Sequence, residues 1–297
     1  MARGPVRPPV TDAQKGFADG LNNVSDPSAV LPTQMVRSDN FRLAEYGAVT
    51  KRGGTQRVTT AVLAAVPVRS GYAWRLNSST VYGLVSCNAK LKRFTWGSFP
   101  RTFTDLGTVV DVPASVVAFR DATANVAYIA DGGDLKKYDG TTFSSITAAV
   151  DPTGICVYHE RLWGWGIGGS LDSVFYSALD NGDTLGIGAS GGGQIIVRTM
   201  GQRDIVACAP VNTSLLIWHK KGISRLTGYG QSDTTTTPEA ITSDAGLVGQ
   251  NALTIYDNVA YFVSSRGVFK CNETEVVPLA SKEKPDPVAP QLMNLSA

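Results

Sequence analysis

The sequence predicts an all-β fold: a β-propeller of five or six blades, with an irregular N-terminal arm and a Pro-rich C-terminal tail. Three observations indicate this fold. Short apolar segments alternate with turns, 31 of the 297 residues are glycine, and a hairpin pattern returns at a regular interval. Short strands that recur in this way are typical of propellers, whose blades repeat roughly every 40–50 residues.

Five apolar segments are each followed by a polar or glycine-containing turn and a second, alternating segment, which is the pattern of a β-hairpin. These first segments are Val81–Ser86, Val126–Ala130, Arg161–Trp165, Leu215–His219 and Val259–Val263. One residue marks the centre of each: Tyr82, Tyr128, Trp163, Ile217 and Tyr261. The markers are 46, 35, 54 and 44 residues apart, close to the length of one four-stranded blade. No amphipathic helical stretch lies between them, which argues against βαβ units.

The chain is expected to divide into three parts: an N-terminal arm and lead-in (1–60), the propeller (61–280) and a C-terminal tail (281–297). Lys284–Pro290 is rich in proline and favours an extended tail. A long helix is excluded from the arm by its closely spaced prolines, which are Pro5, Pro8, Pro9, Pro27 and Pro32. Both ends are candidates for segments that become ordered on assembly.

Charge and hydropathy exclude several classes of partner. The formal net charge of +2 provides no bulk field that would recruit nucleic acid or a membrane surface. No apolar run approaches the ~18 residues of a membrane span. Met1–Pro9 is basic but lacks the apolar core of a secretory signal. The product is expected to stay in the cytoplasm of its host unless a particle carries it out.

Residues that could carry chemistry are few and scattered. The four cysteines have no C-x-x-C spacing and lie in or beside apolar runs, so we expect small core side chains at Cys87, Cys156, Cys208 and Cys271. Neither His159 nor His219 has metal-ligand spacing around it. The sequence therefore predicts no metal, no cofactor and no enzymatic activity.

Two groups of carboxylates lie in predicted turns. One consists of Asp131, Asp134 and Asp139, and the other lies within Asp180–Asp183. Asp is favoured in turns because its side chain binds nearby backbone N–H groups. A Ca²⁺ loop would need alternating oxygen ligands and a final Glu, which neither segment supplies. A pair of carboxylates that cleaves a glycoside stays an alternative, because the sequence does not show which carboxylates meet in space.

A basic element follows the arm. Lys51, Arg52 and Arg57 flank Gly53–Gly54, and glycine lets backbone amides approach an anion while the cations neutralise it. A contact with phosphate or with a protein partner is therefore one hypothesis for these three residues. The alternative is a solvated turn that leads into the first strand, since no aromatic residue is interleaved with the cations.

Three groups of phrases resemble the propeller proteins of tailed bacteriophages. The first group is Phe17–Pro27, Asn40–Val49 and Lys51–Thr55. The second is His159–Trp163, Val174–Asp180 and Leu215–Gly228. The third is Gly246–Gly249 and Asn258–Phe269. Their order and spacing, from about residue 16 to 280, carry the resemblance, which is to tail nozzle (tail tubular protein B-like) and packaged-DNA stabilisation proteins.

The resemblance implies a structural protein of the virion tail, assembled in the bacterial cytoplasm. Such a protein is a subunit of a tail nozzle, hub or head-to-tail ring through which DNA passes without sequence recognition. Its partners would be copies of itself, the portal or adaptor, and other tail proteins. The chain is shorter than the long nozzle proteins, so its position in the tail stays open.

Two rival functions remain. One is a glycan-binding or glycan-cleaving propeller at the tail tip, which would show a carboxylate pair or an aromatic cluster at one mouth of the channel. The other is a cytosolic scaffold of the WD type, for which the sequence lacks a repeated Trp-Asp dipeptide.

Overall fold

The computed structural model describes residues 41–43, 49–51, 67–97, 101–122, 124–201, 204–228, 236–242 and 244–279. The chain divides into two compact units, Met1–Gln56 and Arg57–Ala297. In the first unit, β1 (Phe41–Leu43) pairs antiparallel with β2 (Val49–Lys51). The predicted tail, 281–297, and most of the predicted arm lie outside the described residues.

The described part of the second unit contains five four-stranded antiparallel sheets, and in each sheet the strands follow one another in chain order. We call these sheets blades 1 to 5. Blade 1 consists of β3 (Val68–Arg75), β4 (Val81–Cys87), β5 (Lys90–Thr95) and β6 (Thr104–Thr108). Blade 2 consists of β7 (Ser115–Asp121), β8 (Ala124–Ala130), β9 (Leu135–Tyr138) and β10 (Phe143–Ile146).

The other three blades have the same order. Blade 3 consists of β11 (Gly154–Tyr158), β12 (Arg161–Trp165), β13 (Ser173–Tyr176) and β14 (Gly193–Ile196). Blade 4 consists of β15 (Ile205–Val211), β16 (Ser214–His219), β17 (Ile223–Thr227) and β18 (Pro238–Thr242). Blade 5 consists of β19 (Leu253–Tyr256), β20 (Val259–Ser264), β21 (Gly267–Cys271) and β22 (Val276–Pro278). The prediction of an all-β propeller with five or six blades is confirmed.

The predicted hairpins are the middle of each blade. Every one of the five markers lies on the second strand of its blade, and the partner segment forms the third strand. The repeat in the sequence is therefore the repeat of the blades. Some turns are tighter than the glycine-rich turns of the predicted hairpins. His159 and Glu160, both with positive φ, form the two-residue turn between β11 and β12, as hairpins that match the strand twist require.

Successive blades pack face to face through buried clusters. Trp74 and Tyr138 lie in the cluster between blades 1 and 2, and Tyr128 and Leu162 lie in the cluster between blades 2 and 3. The largest cluster joins blades 3, 4 and 5, and its largest fully buried side chains are Trp163, Trp218 and Phe262. The first strands of neighbouring blades lie side by side, from β3 and β7 through to β15 and β19, which is how a propeller places its inner strands around an axis.

Burial is greatest in the middle of the series. All six residues of β16 are buried, as expected for a strand with sheets on both faces. The four cysteines are buried and none forms a disulfide bond with a described residue, so their expected role as small core side chains is confirmed. Burial raises the pKa of the Cys271 thiol to about 12. No helix in the described part of the chain has the length and apolar character of a membrane span.

Candidate functional site: unpaired blade faces and a cavity between blade connections

Among the described residues, the first and last blades of the series differ from the other neighbouring pairs in their contacts. Between described residues, no hydrogen bond, ion pair or buried cluster joins blade 5 to blade 1, whereas each of the other neighbouring pairs shares one. The inner strands reflect this difference. Three of the four residues of β19 are exposed, and five of the eight residues of β3 are exposed.

The outward side of blade 5, here called the blade-5 face, combines apolar and aromatic side chains with a threonine and a lysine. Directly opposed residues of paired strands share a face. The register therefore places Tyr256 beside Val259, and Thr254 and Lys270 beside Tyr261, all on the side opposite the buried Phe262. Tyr256 is 74% exposed, and Val259 and Tyr261 are partly exposed.

The corresponding side of blade 1, here called the blade-1 face, carries small residues, an aromatic group and the Lys92–Asp105 ion pair, and its Cys87 and Phe94 are buried. Ala73 lies opposite Gly83, and Gly83 lies opposite Phe94. A Cβ on Gly83 would meet the Phe94 ring at 2.1 Å, so only glycine lets this ring lie flat on the sheet. Phe94 stacks with Trp96 at 5.9 Å between ring centroids, and Trp96 is 56% exposed.

A cavity of about 1040 Å³ lies where three of the four connections between blades meet. Its walls come from the β6–β7, β10–β11 and β18–β19 connections and from the β16–β17 and β20–β21 turns. The described lining residues are Val112, Pro113, Thr153, Lys220, Lys221, Leu247, Val248, Gly249, Gln250, Asn251, Ala252 and Ser265. In a propeller these connections and turns share one end of the molecule, so the cavity opens at that end.

The cavity walls are held by backbone contacts. The N–H of Leu247 donates to the carbonyl of His219 at 2.9 Å. Lys220 and Lys221 form the β16–β17 turn, here called the lysine turn. Gly246 lies directly against it, and an added Cβ would meet the backbone of Lys220 at 2.2 Å. The Gln250 Nε2 donates to the carbonyl of Thr153 at 3.3 Å and thereby joins the walls from blades 3 and 5. The shape of the cavity is therefore largely fixed by the main chain.

The described lining carries positive charge. It contains two lysines and no Asp or Glu. Lys220 forms an ion pair with Asp204 at 3.3 Å, and both side chains are largely exposed. Lys221 is exposed and has no ion pair with any described residue. Around these cations lie the hydroxyls and amides of Thr153, Gln250, Asn251 and Ser265, together with apolar side chains of the lining.

His219 is the last residue of β16 and directly precedes the lysine turn. Its side chain is fully buried, and its Nε2 lies 3.2 Å from the hydroxyl oxygen of Ser224. Burial lowers the pKa of His219, while Asp204 acts in the opposite direction. The neutral imidazole is thus favoured, and the residue has the structural role that its sequence context predicts.

The carboxylates of the predicted turns join neighbouring blades. Both Asp131 oxygens accept from the Lys136 Nζ at 2.9 Å, and Asp131 also accepts from the N–H of Val110 at 2.8 Å in the β6–β7 connection. In the second group, Asp183 forms an ion pair with Lys137 and accepts from the Tyr128 hydroxyl at 2.7 Å. Burial, followed by the bond to Asp183, raises the pKa of Tyr128.

The predicted basic site falls largely outside the described residues. Lys51 is the last residue of β2 in the first unit, and its backbone alone is described. Arg52 and Arg57 lie outside the described ranges. Their contact with phosphate or a partner stays a prediction. Within those ranges, no group of three or more His, Cys, Asp or Glu is placed to hold a metal ion.

Sequence reasoning missed the cavity. The sequence predicts only a hairpin turn at Lys220, Lys221 and Gly222, and no motif includes Gln250. The segments that line the cavity are up to 153 residues apart, from Val112 to Ser265, and no local pattern brings them together. The sole local signal was the pair of adjacent lysines in a turn.

The fold defines the chain as a β-propeller. No protein-family model matches the sequence, and no curated protein resembles it significantly. Among solved structures, the extracellular domain of a hybrid two-component system from B. thetaiotaomicron superposes with a TM-score of 0.50 and 9% identity over 78% of this chain and 30% of that chain. BBS1N, solved in complex with ARL6DN, superposes with a TM-score of 0.46 and 12% identity over 67% of this chain and 62% of that chain.

A third similar structure is the CNH domain of AfRom2, with a TM-score of 0.44 and 9% identity over 77% of this chain and 76% of that chain. The chain spans less than two thirds of the first solved structures it matches. At these identities the likeness shows the fold alone.

Proposed function

We propose that this chain is a structural subunit of a bacteriophage tail, part of a nozzle, hub or head-to-tail ring. The observation that carries the proposal is that blades 1 and 5 share no buried cluster among the described residues, while each bears an exposed aromatic side chain, Trp96 and Tyr256. Exposed aromatic groups of this kind are typical of surfaces that other proteins cover. A rigid propeller with one such face at each end of its series of blades suits a role as a building block.

Copies of such a subunit would associate through head-to-tail contacts. The blade-5 face of one copy packs against the blade-1 face of the next. Because the two faces differ, the contact is heterologous, and repeated heterologous contacts form a ring where the rotation closes. The aromatic group of blade 1, with Trp96 at its edge, supplies the type of side chain that anchors protein interfaces.

The tail context of the proposal comes from the sequence. The phrases Phe17–Pro27, Leu215–Gly228 and Asn258–Phe269 resemble those of phage propeller proteins and occur in the same order. The last two correspond to the middle hairpins of blades 4 and 5. Ionisable side chains between blades, such as Asp131 and Asp183, form structural bonds, which fits a role in assembly.

Mass spectrometry of purified particles tests the proposal. Particles released from a lysate of the phage or prophage that encodes the chain should contain it at a fixed ratio to the portal protein. Immunogold labelling in electron micrographs should place it at the tail or at the head–tail junction. Intact particles that lack the chain would show that the proposal is wrong.

A further inference from the structure

We propose that the cavity between the blade connections binds an acidic saccharide, a sugar that carries a carboxylate or a phosphate group. The inference goes beyond the assembly role, because it concerns a different surface and its test uses the soluble chain. It rests on the size, charge, polar lining and rigidity of the cavity.

The size of the cavity matches a short saccharide. Its volume of about 1040 Å³ lies at the upper end of the range for small-molecule sites, which is roughly 300–1,000 Å³. Val112 and Pro113 form one apolar wall, and Leu247 and Ala252 form another. Such walls suit the carbon faces of sugar rings, while the polar groups between them suit the hydroxyls.

The two lysines of the lining favour a negatively charged ligand. Lys221 is an exposed cation with no ion pair among the described residues, and Lys220 bonds only to the solvent-exposed Asp204 within that part of the chain. The described lining supplies no carboxylate that would neutralise them. Hydrogen bonds between ammonium and carboxylate or phosphate groups are among the stronger polar contacts. An acidic group on the ligand would therefore lie at the lysine turn.

The polar lining suits the hydroxyl groups of a sugar. The twelve described lining residues include no aromatic one, so the ligand would be held by hydrogen bonds and charge and not by ring stacking. The lining residues do include two side-chain amides, Gln250 and Asn251, and two hydroxyls, Thr153 and Ser265. Amides and hydroxyls both donate and accept hydrogen bonds, as the hydroxyl groups of a sugar do.

The walls are already in place before a ligand arrives. Gly246 packs on the backbone of the lysine turn, Leu247 bonds to His219, and Gln250 bonds to Thr153. A preformed site loses little conformational entropy on binding. Lys221 is thus presented by a turn whose position is fixed from both sides.

Isothermal titration calorimetry of the full chain tests the proposal. The probes are trigalacturonic acid, glucose 6-phosphate, neutral maltotriose and dAMP. We expect saturable binding of at least one acidic saccharide and none of maltotriose. Lys221→Met should weaken that binding about tenfold, as the loss of one charged contact would. The matched control, Arg120→Met on β7, removes one exposed cation from blade 2 and should leave binding unchanged.

A second variant tests whether binding depends on the position of the lysine turn. Gly246→Ala should displace the lysine turn and abolish binding, with circular dichroism showing that the β signal is retained. Four results would overturn the proposal: no binding of either acidic saccharide, equal binding of maltotriose, tighter binding of dAMP, or unchanged affinity in Lys221→Met. Absence of the chain from virions would contradict the assembly role and would leave the saccharide site untouched, so each proposal can fail without the other.

Discussion

The buried pair of Asp131 and Lys136 shows how single residues hold this propeller together. The Asp131 side chain has no exposed surface, and the Lys136 side chain is 9% exposed. The carboxylate bonds to the ammonium group and to the N–H groups of Val110 and Gly133. One turn residue of blade 2 therefore fixes both its own hairpin and the connection that arrives from blade 1.

Substitution of Asp131 tests this role. Asp131→Ala should lower the free energy of unfolding by about 3–5 kcal/mol, because it leaves the buried Lys136 ammonium with the Asp134 carbonyl but without an opposite charge. Urea denaturation followed by tryptophan fluorescence measures the change. As a control, Asp111→Ala removes an exposed ion pair with Arg69 and should have a far smaller effect. Equal effects of the two variants would contradict a special role for the buried pair.

His219 affects how the stability of the folded protein changes as the pH falls. Burial lowers its pKa in the folded state below the ordinary value of 6.5. As pH falls below 6.5, the unfolded chain binds a proton before the folded chain does, so this residue's contribution to stability is present above pH 6.5 and is lost below it. His219→Gln should therefore show a shallower loss of stability between pH 7.5 and 5.5, measured as the unfolding free energy. An unchanged slope would rule out this residue as the cause.

At this scale the sequence predicted residue types better than residue contacts. The cysteines and His219 are buried structural residues, as their apolar surroundings indicate. Asp131 was recognised as a turn residue, because Asp before Gly-Gly is a strong turn signal. Its bond to Val110, 21 residues earlier, depends on how blades 1 and 2 pack, and no local pattern encodes that packing.

The strands differ in burial according to their place in the series of blades. Strand β16 in blade 4 is buried throughout, whereas β19, the inner strand of blade 5, is mostly exposed. Amides open to exchange more readily where few buried contacts hold them. The exposure of β19 and β3 should therefore be visible in the exchange rates of their amides.

Hydrogen–deuterium exchange tests that expectation. Amides of β16 should exchange slowest, and those of β19 and β3 should exchange markedly faster in the isolated chain at low concentration. Peptide-level mass spectrometry resolves these strands. Slow exchange of β19, equal to that of β16, would show that its face is covered in the isolated chain.

Strand prediction succeeded where the pattern was strongest. The second and third strands of every blade form regular hairpins with buried centres, and their apolar alternation is visible in the sequence. Some fourth strands, such as β6 (Thr104–Thr108) and β22 (Val276–Pro278), are short and contain no buried residue. They lack the alternation that identifies a strand, so their existence was inferred only from the blade length.

At the scale of the whole molecule, the repeat in the sequence predicts the propeller fold. It does not predict that blades 1 and 5 share no buried cluster among the described residues. A repeat predicts blades of equal kind, and it does not say whether the first and last blades meet. The exposure of Tyr256 and Trp96 revealed that difference. The cavity is likewise not evident from the repeat, because residues from three connections and two turns form it only after the blades have packed.

The central claim is that the blade-5 and blade-1 faces hold copies of this chain together. Sedimentation velocity across a range of concentrations tests it most directly, with Tyr256→Asp as the interface variant and Leu179→Asp, at an exposed residue outside both faces, as the control. We expect the native chain and the control to form one closed oligomer, and Tyr256→Asp to sediment as a monomer. A native chain that stays monomeric at every concentration, or an oligomer that Tyr256→Asp leaves intact, would contradict the account.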